Sequence, residues 1–516
     1  MTRNHAIDSH ESSRNRDAST RRRFLAGAGT AGLVGGIGLT GSANALLGDA
    51  IAGLTSVGDT LVDDALDLES EESQETIVVF ETNEDADRLL DLDVLVGPFA
   101  VLPMAYAELT GPLIERVAGW EEVRYVSSNY ELEYHNDDAR TDTGADRVAA
   151  GEGLESAYTG ESAHTVVVDS GVDGAHPDLK ANLQANYQYV GVPEVTDPLW
   201  WQDVGLVDSD NSGHGTHCAG SVGGDGSKSD GEYAGMAPDA DLTVYACGAG
   251  GLLVVYTVAA YDDLLRRQRE GDHDVQVVSN SYGPVDDDRP FVPEDPMNVA
   301  TWEAHEDGLL PVFSAGNSGP EKGTLSQYTK APHVLGVAAT DADRTVTDFS
   351  SRGRPQDGSW DHDNYDRESA YENLTALYEG ADEDEITGPL GIYRNGVAAK
   401  GGDVVSTLNP ADPLNVAEPD EELYYGPMSG TSMSCPVTAG CATLVVDAYR
   451  ESHGEYPDPM DVLTTLEATA VEDIYDDYTA ESVGAGYVDA LAAVERAEAG
   501  DLAGFDEIEI APGSDG

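Results

Sequence analysis

The stretch 425–441, YGPMSGTSMSCPVTAGC, brings Ser429, Ser432, Ser434 and Cys435 close together. Hydroxyl and thiol groups become effective nucleophiles when three things are in reach: a base, a carboxylate to orient it, and donors for an oxyanion. The chain supplies one short stretch for each need. VVVDSGVDGAHPDL (166–179) ends an apolar run at Asp169, beside glycines that let the backbone turn. NSGHGTHCAG (211–220) opens a helical segment with His214, and His217 follows nearly one turn later. PVFSAGNSG (311–319) ends a second apolar run with Asn317 in a glycine turn. Together these residue types point to nucleophilic acyl transfer.

Among the candidate nucleophiles, Ser432 follows Gly430-Thr431 and heads an Ala/Val-rich helix. Its backbone N–H therefore points out of the helix, where the dipole favours a developing anion. Ser429 precedes the turn, and the helical period rotates Ser434 by about 200° away from Ser432. Cys435 lies one turn on, deeper in the helix. Ser432 is the expected nucleophile, whereas His217 reads as structural and Asp173 and Asp178 as turn and cap residues.

The elements that position these residues are short apolar runs with polar ends: HTVVVDSG (164–171), VQVVSNS (275–281), LLPVFSAGN (309–317) and HVLGVAAT (333–340). Segments 252–269 and 297–308 between them have helical spacing. Strands buried on both faces and alternating with helices indicate a parallel α/β sheet. Such sheets bind ligands at the carboxyl ends of their strands, which is where Asp169, Ser281 and Asn317 fall.

The four stretches resemble the subtilisin-like serine peptidases (subtilases), whose signatures are D-[ST]-G, H-G-T-H, an A-G-N loop and G-T-S-M. The likeness runs over roughly residues 145–495 and takes in GAGYVDALAAV (484–494), similar to the family's last helix. It implies a subtilisin-like three-layer α/β domain around a mainly parallel sheet. It also implies a serine endopeptidase that cleaves peptide bonds through an acyl-enzyme. Carried over by position, Asp169 orients His214, His214 takes the proton of Ser432, and Ser432 attacks the scissile carbonyl. Asn317 and the Ser432 N–H form the oxyanion hole. Ser281-Tyr282-Gly283 and Ser314-Ala315-Gly316 resemble the two backbone segments that sandwich an extended peptide. The chemistry needs no cofactor. Calcium commonly stabilises the family, and acidic loops offer oxygen ligands here, but no spacing identifies a site. Two departures, Ser434 where alanine is more frequent and Val437 where histidine often stands, leave the three catalytic positions intact.

Two rival readings remain. A catalytically silent subtilase-fold binding or cell-surface protein would leave these positions unfilled, and all four are filled. An α/β-hydrolase esterase expects G-x-S-x-G and a histidine after the serine. Here only His453, in the polar turn SHGE, follows Ser432.

Composition adds the setting. The 516 residues are 40% hydrophobic, enough for two to three compact pieces, so the 97 acidic against 27 basic residues do not signal disorder. A formal charge of −70 suits a folded protein in concentrated salt, where a Debye length of about 3 Å screens surface repulsion. Nucleic acid is excluded as a partner by the lack of a basic stripe. TRRRFLAGAGTAGLVGGIGLTGSANA (20–45) resembles a twin-arginine export signal with an A-x-A cleavage site at Ala43-Asn44-Ala45. Its glycines argue against a stable membrane anchor, so a secreted, extracellular protein is expected. Cys218, Cys247, Cys435 and Cys441 form no metal-type pair and read as buried thiols, with a single bridge left open.

The expected organisation is a signal at 1–45, a propeptide-like segment at 46–136, a catalytic domain at 137–500 and an acidic tail at 501–516. Within the second segment, 46–75 reads as small, acidic and mobile. Residues 76–136 read as a small α+β domain of strand–helix–strand–strand–helix–strand order, with the second helix near 105–118. HNDDARTDTGADR (135–147) reads as a linker, and 353–396 as an acidic surface insertion. In the resemblance the small domain corresponds to an inhibitory propeptide, cut within about 134–141. The expected partners are peptide or protein substrates and this propeptide, with the mature chain a monomer.

Overall fold

The computed structural model describes residues 54–57, 60–63, 66–92, 94–98, 103–128, 137–190, 200–248, 252–284, 290–356, 364–381, 386–411, 423–472 and 474–512. The expected export signal and residues 129–136 lie outside this set, as do 513–516 of the tail. The chain divides into two compact units, Met1–Leu132 and Glu133–Gly516.

The first unit is a six-stranded sheet built from β1 (Leu54–Val57), β2 (Thr60–Asp63), β3 (Gln74–Phe80), β4 (Val96–Pro98), β5 (Met104–Leu109) and β6 (Val123–Ser128). Their order across the sheet is β1-β2-β6-β3-β5-β4. A 3-10 turn at Asn83–Asp91 and helix α1 (Gly111–Ala118) complete it. Val78, Phe80, Leu89, Ala105, Ala107, Ile114 and Val126 form its core. Two expectations need correction. Part of the 46–75 run is strand, and β2 pairs with β6 and buries Val62. Its composition hid this because one apolar face is spread among acidic neighbours. The helix expected near 105–118 begins only at Gly111. MAYAEL alternates buried and half-exposed residues, a period of two, and so pairs as strand β5 between β3 and β4.

The second unit opens with helices α2 (Asp137–Thr143) and α3 (Ala145–Ala149). This corrects the expected linker, because Ala139, Ala145 and Val148 are fully buried in the core. An eight-stranded sheet follows: β7 (His164–Asp169), β8 (Leu183–Val190), β9 (Trp200–Asp203), β10 (Asp241–Ala246), β11 (Val277–Asn280), β12 (Leu310–Ser314), β13 (Leu335–Thr340) and β14 (Val397–Lys400). The order is β14-β13-β12-β11-β7-β10-β8-β9, parallel throughout except for the β8–β9 pair. A small antiparallel pair, β15 (Val404–Thr407) with β16 (Tyr425–Met428), lies outside this sheet.

Alternate residues of β7 serve opposite layers, which is why its sequence is apolar without interruption. Val167 packs with helices α4 (His214–Gly223), α8 (Thr431–His453), α9 (Pro459–Ala468) and α11 (Ala490–Ala499). Val166 and Val168 pack with α5 (Val254–Glu270), α6 (Pro296–Glu306) and α7 (Arg367–Tyr378). A short helix, α10 (Ala480–Val483), lies before α11. The result is three layers around a mainly parallel sheet.

The expected surface insertion at 353–396 is also corrected. Arg367, Ala370, Leu374, Ile392, Tyr393 and Arg394 within it are buried. The cause is one carboxylate. Glu467, from α9, accepts from Arg367 (2.6 and 3.1 Å) and from Arg394 (2.8 and 2.9 Å), with all three side chains at most 1% exposed. Burial would push the Glu467 carboxyl up, but the two guanidinium groups hold it down at about 2. Removing one member of such a buried cluster leaves a charge without its partner, a loss of about 3–5 kcal/mol.

Candidate active site

The strand order reverses at β7, which has β10 on one side and β11 on the other, so the switch point of the sheet falls beside Asp169. Helix α4 carries His214 at its first turn. At Gly215 a Cβ would collide with the carbonyl oxygen of Gly171, so only glycine lets this helix approach the end of β7. His214 Nδ1 lies 2.7 Å from Asp169 Oδ1, with the imidazole 30% exposed and the carboxylate 5%. The Ser170 N–H donates to the same oxygen at 2.7 Å. Because that oxygen accepts both bonds, Nδ1 carries the proton and Nε2 is left as the basic nitrogen. Burial alone would lower the His214 pKa, but the Asp169 carboxylate overrides it and holds the pKa well above the ordinary value.

Ser432 stands in the first turn of α8, whose interior Thr431–Ala448 is almost wholly buried and rich in small residues. Helix N-termini leave their first N–H groups without intrahelical partners. Thr431 N–H donates to Asn317 Oδ1 (2.9 Å) and Met433 N–H to Gly430 O (2.9 Å), leaving that of Ser432 without a partner among the described residues. The Thr431 hydroxyl also donates to Asn317 Oδ1 at 2.9 Å, and it accepts from the Gly316 N–H at 3.1 Å. Two donors on one amide oxygen fix the Asn317 side chain in one orientation, with its NH2 beside Gly430.

Pro436 lies inside α8 and has no N–H to give the carbonyl of Ser432, four residues back. That carbonyl accepts instead from the Ser281 hydroxyl (2.8 Å) and the Cys218 thiol (3.5 Å). The Ser432 hydroxyl in turn donates to the Ser281 carbonyl at 3.2 Å. Ser281 thus grips the serine from both sides.

Two clefts meet here. One, of about 400 Å³, is lined by Asp169, Ser170, His214, Leu252 and Ser281. The other, of about 180 Å³, is lined by Gly283, Ser314, Gly316, Asn317, Thr431 and Ser432. Of the expected peptide-binding residues, Ala315 is fully buried. The Tyr282 ring packs edge-on against Phe313, and its hydroxyl donates to Asn280 at 2.9 Å. His217 donates through Nε2 to the carbonyls of Val404 and Gly426, and burial holds its pKa down at about 3. Asp178 accepts from Ser227, Lys228 and Tyr425, and Asp173 from the Ala175 N–H. All four cysteines are free and buried. Sequence reasoning missed Thr431, Pro436 and Cys218 as partners of the site; the proline four residues after G-T-S was the readable signal. Among the described residues, the one group of three ligand-type side chains close enough to share an ion is Asp169, His214 and Cys218. Its nitrogen and sulfur donors do not suit calcium, which takes six to eight oxygens.

A carboxylate and an imidazole in hydrogen-bond contact thus line one cleft, and a serine heading a buried helix lines the other beside an oriented amide. Residues 163–364 match the profile of the subtilase family. It is 28% identical over 301 residues to the serine protease AprX of Bacillus subtilis (strain 168), covering 56% of this chain and 58% of that protein. With the minor extracellular protease Vpr of the same strain it shares 30% identity over 200 residues, 39% of this chain and 23% of Vpr. The chain therefore spans less than two thirds of the length of these relatives. Among solved structures, the S41 psychrophilic protease aligns with a TM-score of 0.47 at 24% identity, over 67% of this chain and 97% of its own.

The raised pKa of His214 can be read directly. In an NMR titration the His214 imidazole should lose its proton above the ordinary value of about 6.5. In Asp169→Asn the neutral amide no longer stabilises the imidazolium while burial persists, so the titration should move to lower pH. A wild-type value at or below 6.5, or no movement in the variant, contradicts this account.

Proposed function

We propose that this chain is a serine endopeptidase that acts through Asp169, His214 and Ser432. The observation that carries the reading is the 2.7 Å Asp169–His214 contact at the cleft, together with a helix-heading serine whose N–H has no partner among the described residues. In this reading the Ser432 hydroxyl rotates from the Ser281 carbonyl toward His214 Nε2, which takes its proton as Oγ attacks the scissile carbonyl carbon. The tetrahedral oxyanion is held by the Ser432 N–H and the Asn317 amide. His214 then returns the proton to the leaving amine, and water releases the acyl group by the same route. The extended peptide runs between 281–283 and 314–316, and the small residues there favour broad specificity.

The wider setting belongs to the same proposal. The −70 charge supports adaptation to high salt. The arginine-led segment at 20–45 supports twin-arginine export, and the extracellular role in the name of Vpr is compatible with secretion. We assign the first unit as an inhibitory propeptide and the active form as a monomer. A structural calcium remains an expectation from family resemblance.

One experiment joins the chemistry to maturation. Wild-type protein should accumulate without the first unit, with a new N-terminus within about 134–141. Ser432→Ala should keep the unit and lose peptide hydrolysis by several orders of magnitude, and added wild-type enzyme should trim it. An active Ser432→Ala protein overturns the catalytic assignment; fully active wild type that retains the unit overturns the propeptide. Salt adaptation has its own measurement. At 0.01 M salt the Debye length is about 30 Å, so carboxylate repulsion acts across the molecule and Tm should fall well below its value in molar salt. Equal Tm in both conditions contradicts it.

A further inference from the structure

Asp210 lies in the loop before α4, and its carboxylate gathers five donors. Oδ1 accepts from the Ser170 hydroxyl (2.8 Å) and the N–H groups of Ser212 (3.1 Å) and Gly213 (3.0 Å). Oδ2 accepts from the Thr216 N–H (2.8 Å) and its hydroxyl (2.6 Å). Ser170 Oγ then accepts the Gly215 N–H at 2.8 Å. The N-cap of α4 is Gly213, at φ 77°, and it has no side chain to satisfy the first turn. Asp210 and Ser170 satisfy that turn from outside instead. The same Ser170 donates its N–H to Asp169. A single carboxylate therefore fastens the helix that carries His214 to the strand end that carries Asp169.

We propose that Asp210 is a positioning residue for the proposed hydrolysis, setting the register between His214 and Asp169 without touching substrate. The inference rests on the proposed reaction, and it assigns a task that neither the motif nor the family match gives to this residue. The titratable groups facing His214 are Asp169 from the end of β7 and Cys218 from its own helix, with His217 one turn on. Loosening the Asp210 anchor weakens the first of these contacts, so kcat falls while the peptide-binding segments keep KM.

The test uses the full chain with active sites counted by a serine-directed fluorophosphonate. Asp210→Asn should lower kcat per active site by about 10–100-fold with KM within about twofold, and shift the acid limb of kcat to lower pH. Ser170→Ala should act in the same direction with a smaller effect. This change is uncharged, so its limb shift reports geometry and not lost charge. It also carries the test should Asp210→Asn fail to fold. A merely structural role predicts fewer active sites and a lower Tm, with kcat per site and the acid limb unmoved; that result in both variants overturns the proposal. If wild type does not hydrolyse peptides, the proposed reaction falls by itself. The His214 NMR titration then decides the positioning: a lower pKa in Ser170→Ala supports it, and an unchanged one overturns it.

Discussion

The site depends on one buried hydrogen bond, between Asp169 at the end of β7 and His214 at the head of α4. A carboxylate that is only 5% exposed must be satisfied by protein donors. Its oxygen Oδ1 accepts from the Ser170 N–H and the imidazole, whereas Oδ2 is buried without a partner among the described residues, so these two bonds alone hold the carboxylate. This demand fixes the tautomer of His214, and it sets how closely α4 must approach the sheet. Gly215 permits that approach, and the Asp210 loop holds it.

The other half of the site follows from the needs of a helix end in a dry core. Helix α8 is buried almost to its C-terminal turns, so the unpaired groups of its first turn cannot all turn to water. Asn317 takes the N–H of Thr431, while Ser281 and Cys218 take the carbonyl that Pro436 leaves free. Among the described residues the N–H of Ser432 is left without a partner, and Ser432 lines the cleft. In the proposed reaction this leftover donor is what stabilises the oxyanion, so the same packing that buries the helix prepares the site.

Much of this was legible in the sequence, and the reasons differ by element. The strands ending at Asp169, Asn280 and Ser314 were readable because burial on both faces demands unbroken apolar runs. The placement of Asp169, His214, Asn317 and Ser432 followed from glycine turns at strand and helix ends. The segment 135–147 misled because its buried side chains, Ala139, Thr143 and Ala145, are small and stand among many charges. The segment at 353–396 misled for the opposite reason: its buried members include two arginines, whose burial depends on Glu467 some 70 to 100 residues away. Composition cannot reveal a charge that is buried only because a distant partner meets it. Asp210 was hidden only in part in this way: four of its five donors lie within six residues of it, and Ser170 alone becomes a neighbour once α4 has docked on the strand end.

The central claim is that His214, held by Asp169, activates Ser432 and no other nucleophile in the 425–441 segment. Reaction with a fluorophosphonate, followed by peptide mapping in a mass spectrometer, tests this most directly, because the reagent requires an activated hydroxyl and leaves a stable adduct. The account predicts one adduct per chain, on Ser432, formed far more slowly in His214→Ala. An adduct on Ser429 or Ser434, or labelling of Ser432 at the same rate without His214, would contradict it.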